Sequence, residues 1–217
     1  MGAVDIVRST KADVTRDVQV RVRDAAHADA VIAAIGALDG FSVEGTASRV
    51  LEEHQSGAIG MKNRMPLTSR DDLSMAYTPG VARVCMAIHH DFEQAWDYTI
   101  KANSVMVVSD GSDVVGLGEL GVDASLPACE SVCLFLRDLA DIDAFPLPVD
   151  SRDVAEIVNT VALCSSVFAG VHLTGMAADR AAAVKAGLEA QIDIPVRVGG
   201  EDAAAFAADW RSAIDAA

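Results

Sequence analysis

Basic residues are scarce in this chain, which has 17 Lys and Arg against 32 Asp and Glu in 217 residues and a formal net charge of −15. A charge of this sign and size opposes binding to polyanions such as DNA and to anionic membrane surfaces. We therefore expect no nucleic acid and no membrane among the partners. The acidity is typical of a protein that is kept soluble by its charge.

Long apolar runs are also missing. No stretch approaches the roughly 18 apolar residues that a membrane-spanning helix needs, and the amino terminus has no apolar segment of the signal-peptide kind. The cysteines contain no CxxC pair, and the apolar neighbours of each predict buried thiols rather than disulfides or a zinc site. They are Cys85, Cys129, Cys133 and Cys164. These features predict a cytoplasmic protein.

The composition is that of a folded chain, with 51% apolar and 23% charged residues. In the front part, VDIV and VQVRV alternate like strands, AHADAVIAAIGAL has helical spacing, and FSVEGTASRVL again reads as a strand. This ββαβ order resembles the last part of an ACT regulatory domain, without its opening strand and helix. We predict a partial ACT-like domain over residues 1–56. Either its start is truncated or a second copy completes the sheet, so we expect a homodimer.

A glycine-bearing linker, SGAIGMKNRMP, starts at Ser56 and leads into the second domain, residues 57–217. There Ser69 is a plausible N-cap for the helix RDDLSMA. SVMVVSD reads as a buried strand and SLPACESVCLFLRDLA as an apolar helix. Further on, VFAGVHL and DIPVRV read as short strands on either side of an alanine-rich helix. Strands that alternate with helices predict an α/β domain with short parallel strands.

The run from Thr68 to Asp150 contains TSRDDLSMAYTPGVARVCMAIHH, TIKANSVMVVSDGSDVVGLGELG and ADIDAFPLPVD. It closely resembles the amino-terminal, substrate-side half of malic enzymes. In that family a tyrosine acid, a lysine base and three carboxylates that bind magnesium or manganese oxidise and decarboxylate malate with NAD(P). The resemblance implies catalytic roles for Tyr77 and Lys101, and substrate binding by Asp110, Gly111 and Gly118.

Other family positions differ here. The family's lysine follows a Leu-Pro-x-x-Glu-Gly run, and aligning LPACESVCLFLR with it places Val132 at the lysine position. Two metal-binding carboxylates of a Gly-x-x-Leu-Glu-Asp motif correspond to Thr174 and Gly175. The third belongs to a run that reads Arg197–Asp202 here, where a loop shift could recruit Glu201 or Asp202. A single displaced acid does not make a three-carboxylate site, so we expect no metal.

The stretch from Gly116 to Gly121 matches GxGxxG, which is also a dinucleotide-binding pattern. Malic enzymes carry the same glycines in their substrate half, and a tight turn explains them. We therefore expect no Rossmann nucleotide domain and no NAD(P) cofactor. Cys129 and Cys133 share a helix face beside Val132, where a thiol could act as a new nucleophile, although core cysteines are the better interpretation.

Two functional hypotheses of different class follow. The first is a catalytically degenerate relative of malic enzyme that binds a small carboxylate or another effector, or associates with a protein. The second is an enzyme acting on a small organic acid. It would be either the substrate half of a split malic enzyme or a repurposed metal-free site at Tyr77, Lys101, Asp110 or Cys129.

Overall fold

The computed structural model of the protein describes residues 3–11, 14–199 and 203–216. The chain divides into two compact units, Met1–Ala58 and Ile59–Ala217. The division falls at the start of the glycine-bearing linker, two residues beyond the boundary expected from the sequence.

The first unit is a small antiparallel sheet with strand order β2-β1-β3 and one longer helix. Its elements are β1 (Ala3–Lys11), β2 (Val14–Val22), α1 (Ala25–Gly36), β3 (Ser42–Ser48) and α2 (Arg49–Glu53). The strand-strand-helix-strand order is the predicted one, while the likeness to an ACT domain remains a prediction. The expectation that the last strand continues to Leu51 was wrong. Arg49 and Glu53 form an i,i+4 ion pair at 3.4 Å, which suits a helical turn.

The second unit contains a four-stranded parallel sheet with strand order β5-β4-β6-β7. Its strands are β4 (Ser104–Ser109), β5 (Asp143–Pro148), β6 (Gly170–Leu173) and β7 (Val196–Val198). Its helices are α3 (Arg70–Ala76), α4 (Gly80–His90), α5 (Gln94–Tyr98), α6 (Val122–Ala140), α7 (Val154–Cys164), α8 (Ala178–Glu189) and α9 (Ala203–Asp215). The predicted α/β class with parallel strands is confirmed.

Each face of this sheet is covered by helices. On β4, Met106 and Val108 point into one apolar cluster, which α7 and α8 complete. Val105 and Val107 point into a second cluster, which α6 and α9 complete. The alternation follows from the two-residue period of a strand, and burial on both faces explains the continuous apolar run of β4.

Helix α9 packs against the sheet through a large ring. The fully buried Trp210 lies over Gly170 at the start of β6. A Cβ atom at Gly170 would stand 2.3 Å from Cζ3 of Trp210, well inside van der Waals contact. The absence of a side chain at Gly170 therefore allows α9 to pack closely against β6.

Two of the four cysteines correct the sequence prediction. Cys129 and Cys133 are buried, as expected, but Cys85 and Cys164 are exposed, and all four are free thiols. Cys85 lies on α4, a helix with no buried residue, and Cys164 is the last residue of α7. Within the described residues, no helix is long and apolar enough to cross a membrane.

Candidate functional site

The carboxyl ends of the four parallel strands meet at one edge of the sheet, where open α/β sheets bind their ligands. The loop after β4 spans 110–121, the loop after β5 spans 149–153, and the loop after β6 spans 174–177. Five of the residues singled out from the sequence lie in the first and third of these loops: Asp110, Gly111, Gly118, Thr174 and Gly175. The fold thus brings this part of the predicted site together.

Asp110, the first residue after β4, is fully buried, and its carboxylate is bound within the protein. One carboxylate oxygen accepts a hydrogen bond from Arg180 Nη1 at 2.6 Å. The other accepts from the Ser112 hydroxyl at 2.6 Å and from the Ser112 N–H at 3.0 Å. A buried carboxylate requires such partners. Asp110 therefore organises the loop and presents no free acid to a ligand.

Arg152, in the loop after β5, ties its own loop to the one after β4. Its Nη1 donates to the Asp110 carbonyl, and its Nη2 donates to Glu119 Oε1 at 2.7 Å. The hydrogen bond to Glu119 raises the pKa of Arg152. On the other side, the Ser112 hydroxyl accepts from the Ala177 N–H at 2.9 Å, just before α8. The three loops are therefore cross-linked through polar contacts.

The GxGxxG run forms a tight turn within the first loop. Gly116, Gly118 and Gly121 have positive φ angles of 74°, 82° and 87°, which favour glycine over other residues. The Val114 N–H donates to the Gly118 carbonyl at 2.9 Å and closes the turn. Backbone conformation therefore accounts for these glycines.

A close backbone approach fixes the two ends of this loop. The N–H of Gly121 donates to the Gly111 carbonyl at 3.1 Å. A Cβ atom at Gly111 would lie 2.3 Å from the Gly121 carbonyl carbon. Gly111 is therefore required for packing as well as for its φ of 70°.

Ser109, the last residue of β4, contacts both loops. Its hydroxyl accepts from the Gly111 N–H at 3.1 Å and donates to the Gly175 carbonyl at 3.3 Å. Gly175 has a φ of 60°, and a Cβ atom there would stand 2.5 Å from Ser109 Oγ. Position 175 consequently leaves no room for a side chain while Ser109 keeps this orientation.

Lys101 lies away from this edge. It belongs to the turn before β4, with Nζ 4.7 Å from the centre of the Trp96 ring, a cation–π distance. β4 spans about 17 Å at the ordinary rise of a strand, and Lys101 precedes its amino end whereas Asp110 follows its carboxyl end. The structure does not bring these two predicted residues together.

Tyr77 follows the last residue of α3 and is 67% exposed. Among the described residues its hydroxyl makes no hydrogen bond, either to Lys101 or to the loops at the carboxyl edge. The phenol is thus available to solvent, to a ligand or to another chain.

Val132 lies in the middle of α6 and packs against the second apolar cluster. Burial raises the pKa of Cys129 to about 11 and that of Cys133 to about 12. Both thiols are therefore protonated at neutral pH and do not supply the thiolate that a cysteine nucleophile needs. The interpretation of this pair as core residues is confirmed.

Comparison with known proteins identifies the fold. Residues 58–162 match the family model of the malic enzyme N-terminal domain. The chain is 37% identical over 193 residues to the NAD-dependent malic enzyme of Geobacillus stearothermophilus, a match that covers 89% of this chain and 40% of that protein. It is 39% identical over 146 residues to the bifunctional malic/malolactic enzyme of Bacillus subtilis, covering 67% and 36%.

Solved structures agree with these sequence matches. The malic enzyme of Pyrococcus horikoshii superposes with a TM-score of 0.67 at 34% identity, over 69% of this chain and 36% of that one. The NAD-dependent malic enzyme of Thermotoga maritima gives the same score and identity, over 70% and 43%. This chain belongs to the malic enzyme family. It spans less than half the length of each of these four relatives.

Relative to the malic enzyme pattern, the described part of the site does not fit a divalent metal ion. The positions of two expected carboxylates are held by Thr174 and by Gly175, where a side chain would meet Ser109. No group of three or more His, Cys, Asp or Glu side chains within 3–11, 14–199 and 203–216 is arranged to hold a metal. Glu201 and Asp202 lie outside the described residues.

Sequence reasoning missed the two arginines that bind the Asp110 loop. Their positions relative to the strands could have indicated them. Asp110 follows a buried strand, and Arg180 lies in the first turn of the helix after β6, the neighbouring strand. Parallel pairing brings such positions to the same edge.

A buried polar pair beneath α9 was also missed. His172 on β6 is 1% exposed, and its ring centre lies 4.6 Å from that of Phe206 and 6.3 Å from that of Trp210. Among the residues that the structure describes, His172 Nδ1 and Trp210 Nε1 are buried without a hydrogen-bond partner. Burial lowers the pKa of His172 to about 4, so the imidazole is neutral at physiological pH.

Proposed function

We propose that this member of the malic enzyme family is catalytically degenerate and keeps the substrate-side fold for a binding or association role. The observation that carries the proposal is the packing of Val132. Its side chain belongs to the apolar surroundings of α6, at the position where the family has its lysine base. An aliphatic group there neither accepts nor donates the proton that general acid–base catalysis requires.

The geometry at Gly175 supports the same proposal. An acidic residue at this position needs a Cβ atom where Ser109 Oγ now lies, and it must adopt a left-handed backbone conformation. Restoring the family's acid would therefore require a rearranged loop as well as a new side chain. The loss of the base and the loss of the metal position are independent features that favour the same conclusion.

We propose a small carboxylate as the ligand, bound at the carboxyl edge of the sheet. Arg152 and Arg180 are 36% and 24% exposed, and guanidinium groups bind carboxylates through paired donors. Each arginine has five N–H donors, so donors remain after the contacts to Glu119 and Asp110. The first turn of α6 begins at the same edge without a side-chain cap, which leaves N–H groups for an anion.

The alternative is an enzyme acting on a small organic acid, as the substrate half of a split malic enzyme or through a metal-free site at Tyr77. The exposed phenol of Tyr77 favours this alternative. The separation of Lys101 from Asp110 by β4 opposes only a metal-free site in which both side chains act on one small molecule.

We also propose that the chain forms a homodimer and is located in the cytoplasm. Within the described part of the first unit, the outer strands β2 and β3 each have an unpaired edge, which supports a homodimer. The free thiols suit a reducing cytoplasm. An ACT-like role for the first unit would make it the place where an effector binds. We expect neither NAD(P) nor magnesium or manganese to be used by this chain.

An assay of malate-dependent reduction of NAD and NADP, with magnesium or manganese, tests the loss of activity. Loss of a general base alone costs about 10²–10⁴-fold in rate, so turnover should fall below detection. Malate oxidation that disappears in Tyr77→Phe would overturn the proposal.

Calorimetric titration with malate and with pyruvate tests the ligand separately. We expect binding that weakens at least about tenfold in Arg152→Gln. The exposed Arg83→Gln serves as the matched control. Equal affinities in the two variants would show that the carboxylate ligand does not bind at the carboxyl edge of the sheet.

A further inference from the structure

The Glu119 side chain already places a carboxylate against Arg152. Its Oε1 atom accepts hydrogen bonds from Arg152 Nη2 at 2.7 Å and from Arg152 Nε at 3.2 Å. These two nitrogens form one edge of the guanidinium group, and such an edge binds a planar carboxylate through two parallel hydrogen bonds. Glu119 therefore occupies a donor pair that a carboxylate ligand of Arg152 would use.

The contact is incomplete on the glutamate side. Both donors share Oε1, and Oε2 of Glu119 has no hydrogen-bond partner among the described residues. A carboxylate that brings one oxygen to each donor makes straighter hydrogen bonds than a single oxygen that serves both. The Glu119 side chain is also 69% exposed, and ion pairs this open to water are weak. An external carboxylate can therefore displace Glu119 from Arg152.

The segment that carries Glu119 has few other attachments. Residues 115–120 form the outer part of the loop after β4, and Val115 and Leu117 are 75% and 71% exposed. Among the described residues, the bonds between Glu119 and Arg152 are the only side-chain hydrogen bonds that residues 115–120 make. The release of Glu119 would therefore free this segment from the loop after β5.

Asp150 acts on the same arginine through its charge alone. The hydrogen bond to Glu119 is the main factor that raises the pKa of Arg152, and the charges of Asp110 and Asp150 add to it. Asp150 is exposed and makes no hydrogen bond to Arg152 within the described part of the chain. A variant at Asp150 therefore distinguishes competition for the donors of Arg152 from general repulsion of an anion.

We propose that Glu119 is an internal competitor, which occupies the Nε and Nη2 donors of Arg152 until the carboxylate of a small ligand replaces it. Glu119 then turns to solvent, and residues 115–120 are released from Arg152. An intramolecular competitor acts at an effective concentration in roughly the millimolar range. The site therefore selects carboxylates that are abundant or that make a second contact. The inference rests on the proposed carboxylate site and adds a residue that sets its affinity.

Calorimetric titration of the full chain with malate and with pyruvate tests the competition. Glu119→Gln keeps the length of the side chain but removes its charge, so we expect both acids to bind about fivefold more tightly than to the wild type. The matched control is Asp150→Asn, which removes an equal charge beside Arg152. It should change the dissociation constants by less than about twofold. Circular dichroism checks that the variants are folded.

A double-mutant cycle assigns the effect to Arg152. The gain from Glu119→Gln should vanish in an Arg152→Gln background, because no guanidinium is left to compete for. An equal gain in that background would show that Glu119 acts elsewhere, and it would overturn the inference.

The release of residues 115–120 has its own readout. We expect saturating malate to speed amide hydrogen exchange in this segment of the wild type, and to have no such effect in Glu119→Gln, where the segment is already free. Unchanged exchange in the wild type at saturating malate would contradict the displacement of Glu119.

The remaining outcomes separate this inference from the proposed ligand. If malate and pyruvate bind neither to the wild type nor to Glu119→Gln, the carboxylate site fails and the inference fails with it. If they bind to the wild type, but equally well or more weakly to Glu119→Gln, the site stands and Glu119 positions Arg152 instead of competing for it. Equal gains in Glu119→Gln and Asp150→Asn would show general charge repulsion, which also overturns the competition.

Discussion

Replacing Gly175 with alanine probes whether the loop after β6 has room for any side chain. The new Cβ atom would stand 2.5 Å from Ser109 Oγ, so the Ser109 hydroxyl must rotate away. It would then lose its hydrogen bonds with the Gly111 N–H and the Gly175 carbonyl. The alanine must also adopt a φ near 60°.

The expected loss of stability has two parts. A left-handed conformation costs a non-glycine residue about 1–2 kcal/mol. Leaving the buried Gly111 N–H without its acceptor costs about 1–3 kcal/mol more. The total of roughly 3 kcal/mol corresponds to a fall of about 6–12 °C in the melting temperature of a unit this size. Gly175→Asp should cost at least as much.

Thermal melts followed by circular dichroism measure the change against a matched control. Gly116 has a similar φ of 74°, and a Cβ atom there would have no neighbour within 4 Å. Gly116→Ala therefore reports the conformational cost alone and should lower the melting temperature by about half as much. The added cost of Gly175→Ala should shrink in a Ser109→Ala background, where no hydroxyl is displaced. Equal melting temperatures for the two alanine variants would refute the argument from Ser109.

Three further predictions concern single side chains. The folded pKa of His172 is about 4, below its ordinary value of 6.5, so the unfolded chain binds a proton that the folded chain does not. Unfolding free energies should fall by about 3 kcal/mol between pH 6.5 and 4, then level off, and His172→Phe should lack this part of the pH dependence. Arg180→Met would leave Asp110 buried and unpaired, and we expect denaturant titrations to show a loss of about 3 kcal/mol with partial recovery in Arg180→Lys. Val132→Lys should lower the melting temperature by several degrees if apolar side chains fill the space around position 132. An unchanged melting temperature would show that a water-filled cavity lies at this position, where the family has its lysine.

The parallel sheet could be predicted from the sequence because its strands carry strong local signals. The run from Ser104 to Ser109 is buried on both faces, and its continuous apolar sequence shows this directly. The N-cap at Ser69 was equally visible, and the structure confirms it and adds the reciprocal bonds with Asp72 that make a capping box.

Elements that depend on tertiary context were not predictable in the same way. Strand β5 contains Pro146 and Pro148, which argue against a strand, and it exists because an edge position tolerates residues without an N–H. Helix α6 begins at Val122, three residues before the predicted start, so Pro127 lies farther inside the helix than expected.

The candidate site was predictable in its residues but not in their partners. The sequence indicates Asp110 as a polar residue after a buried strand. It does not reveal that Arg180, seventy residues later, neutralises the carboxylate. Long-range pairs of this kind depend on strand order, which no local pattern encodes. The same limit explains why Lys101 was grouped with Asp110, although β4 holds them at opposite ends.

The placement of Trp210 over Gly170 has a consequence for how the protein is made. The second apolar cluster joins Val105 on the first strand of the parallel sheet to Ile214 near the end of α9. During synthesis, α6 can cover its part of this face soon after β4 is made, whereas the part beneath α9 stays exposed until Ala203–Asp215 has been made. Contacts between residues that are distant in sequence form slowly, and strands that remain exposed in the meantime can pair incorrectly. The opposite face closes earlier, because its cluster ends at Val196. We expect the nascent chain to complete the cluster of α7 and α8 first, and to leave the part of the sheet beneath α9 exposed until α9 is made.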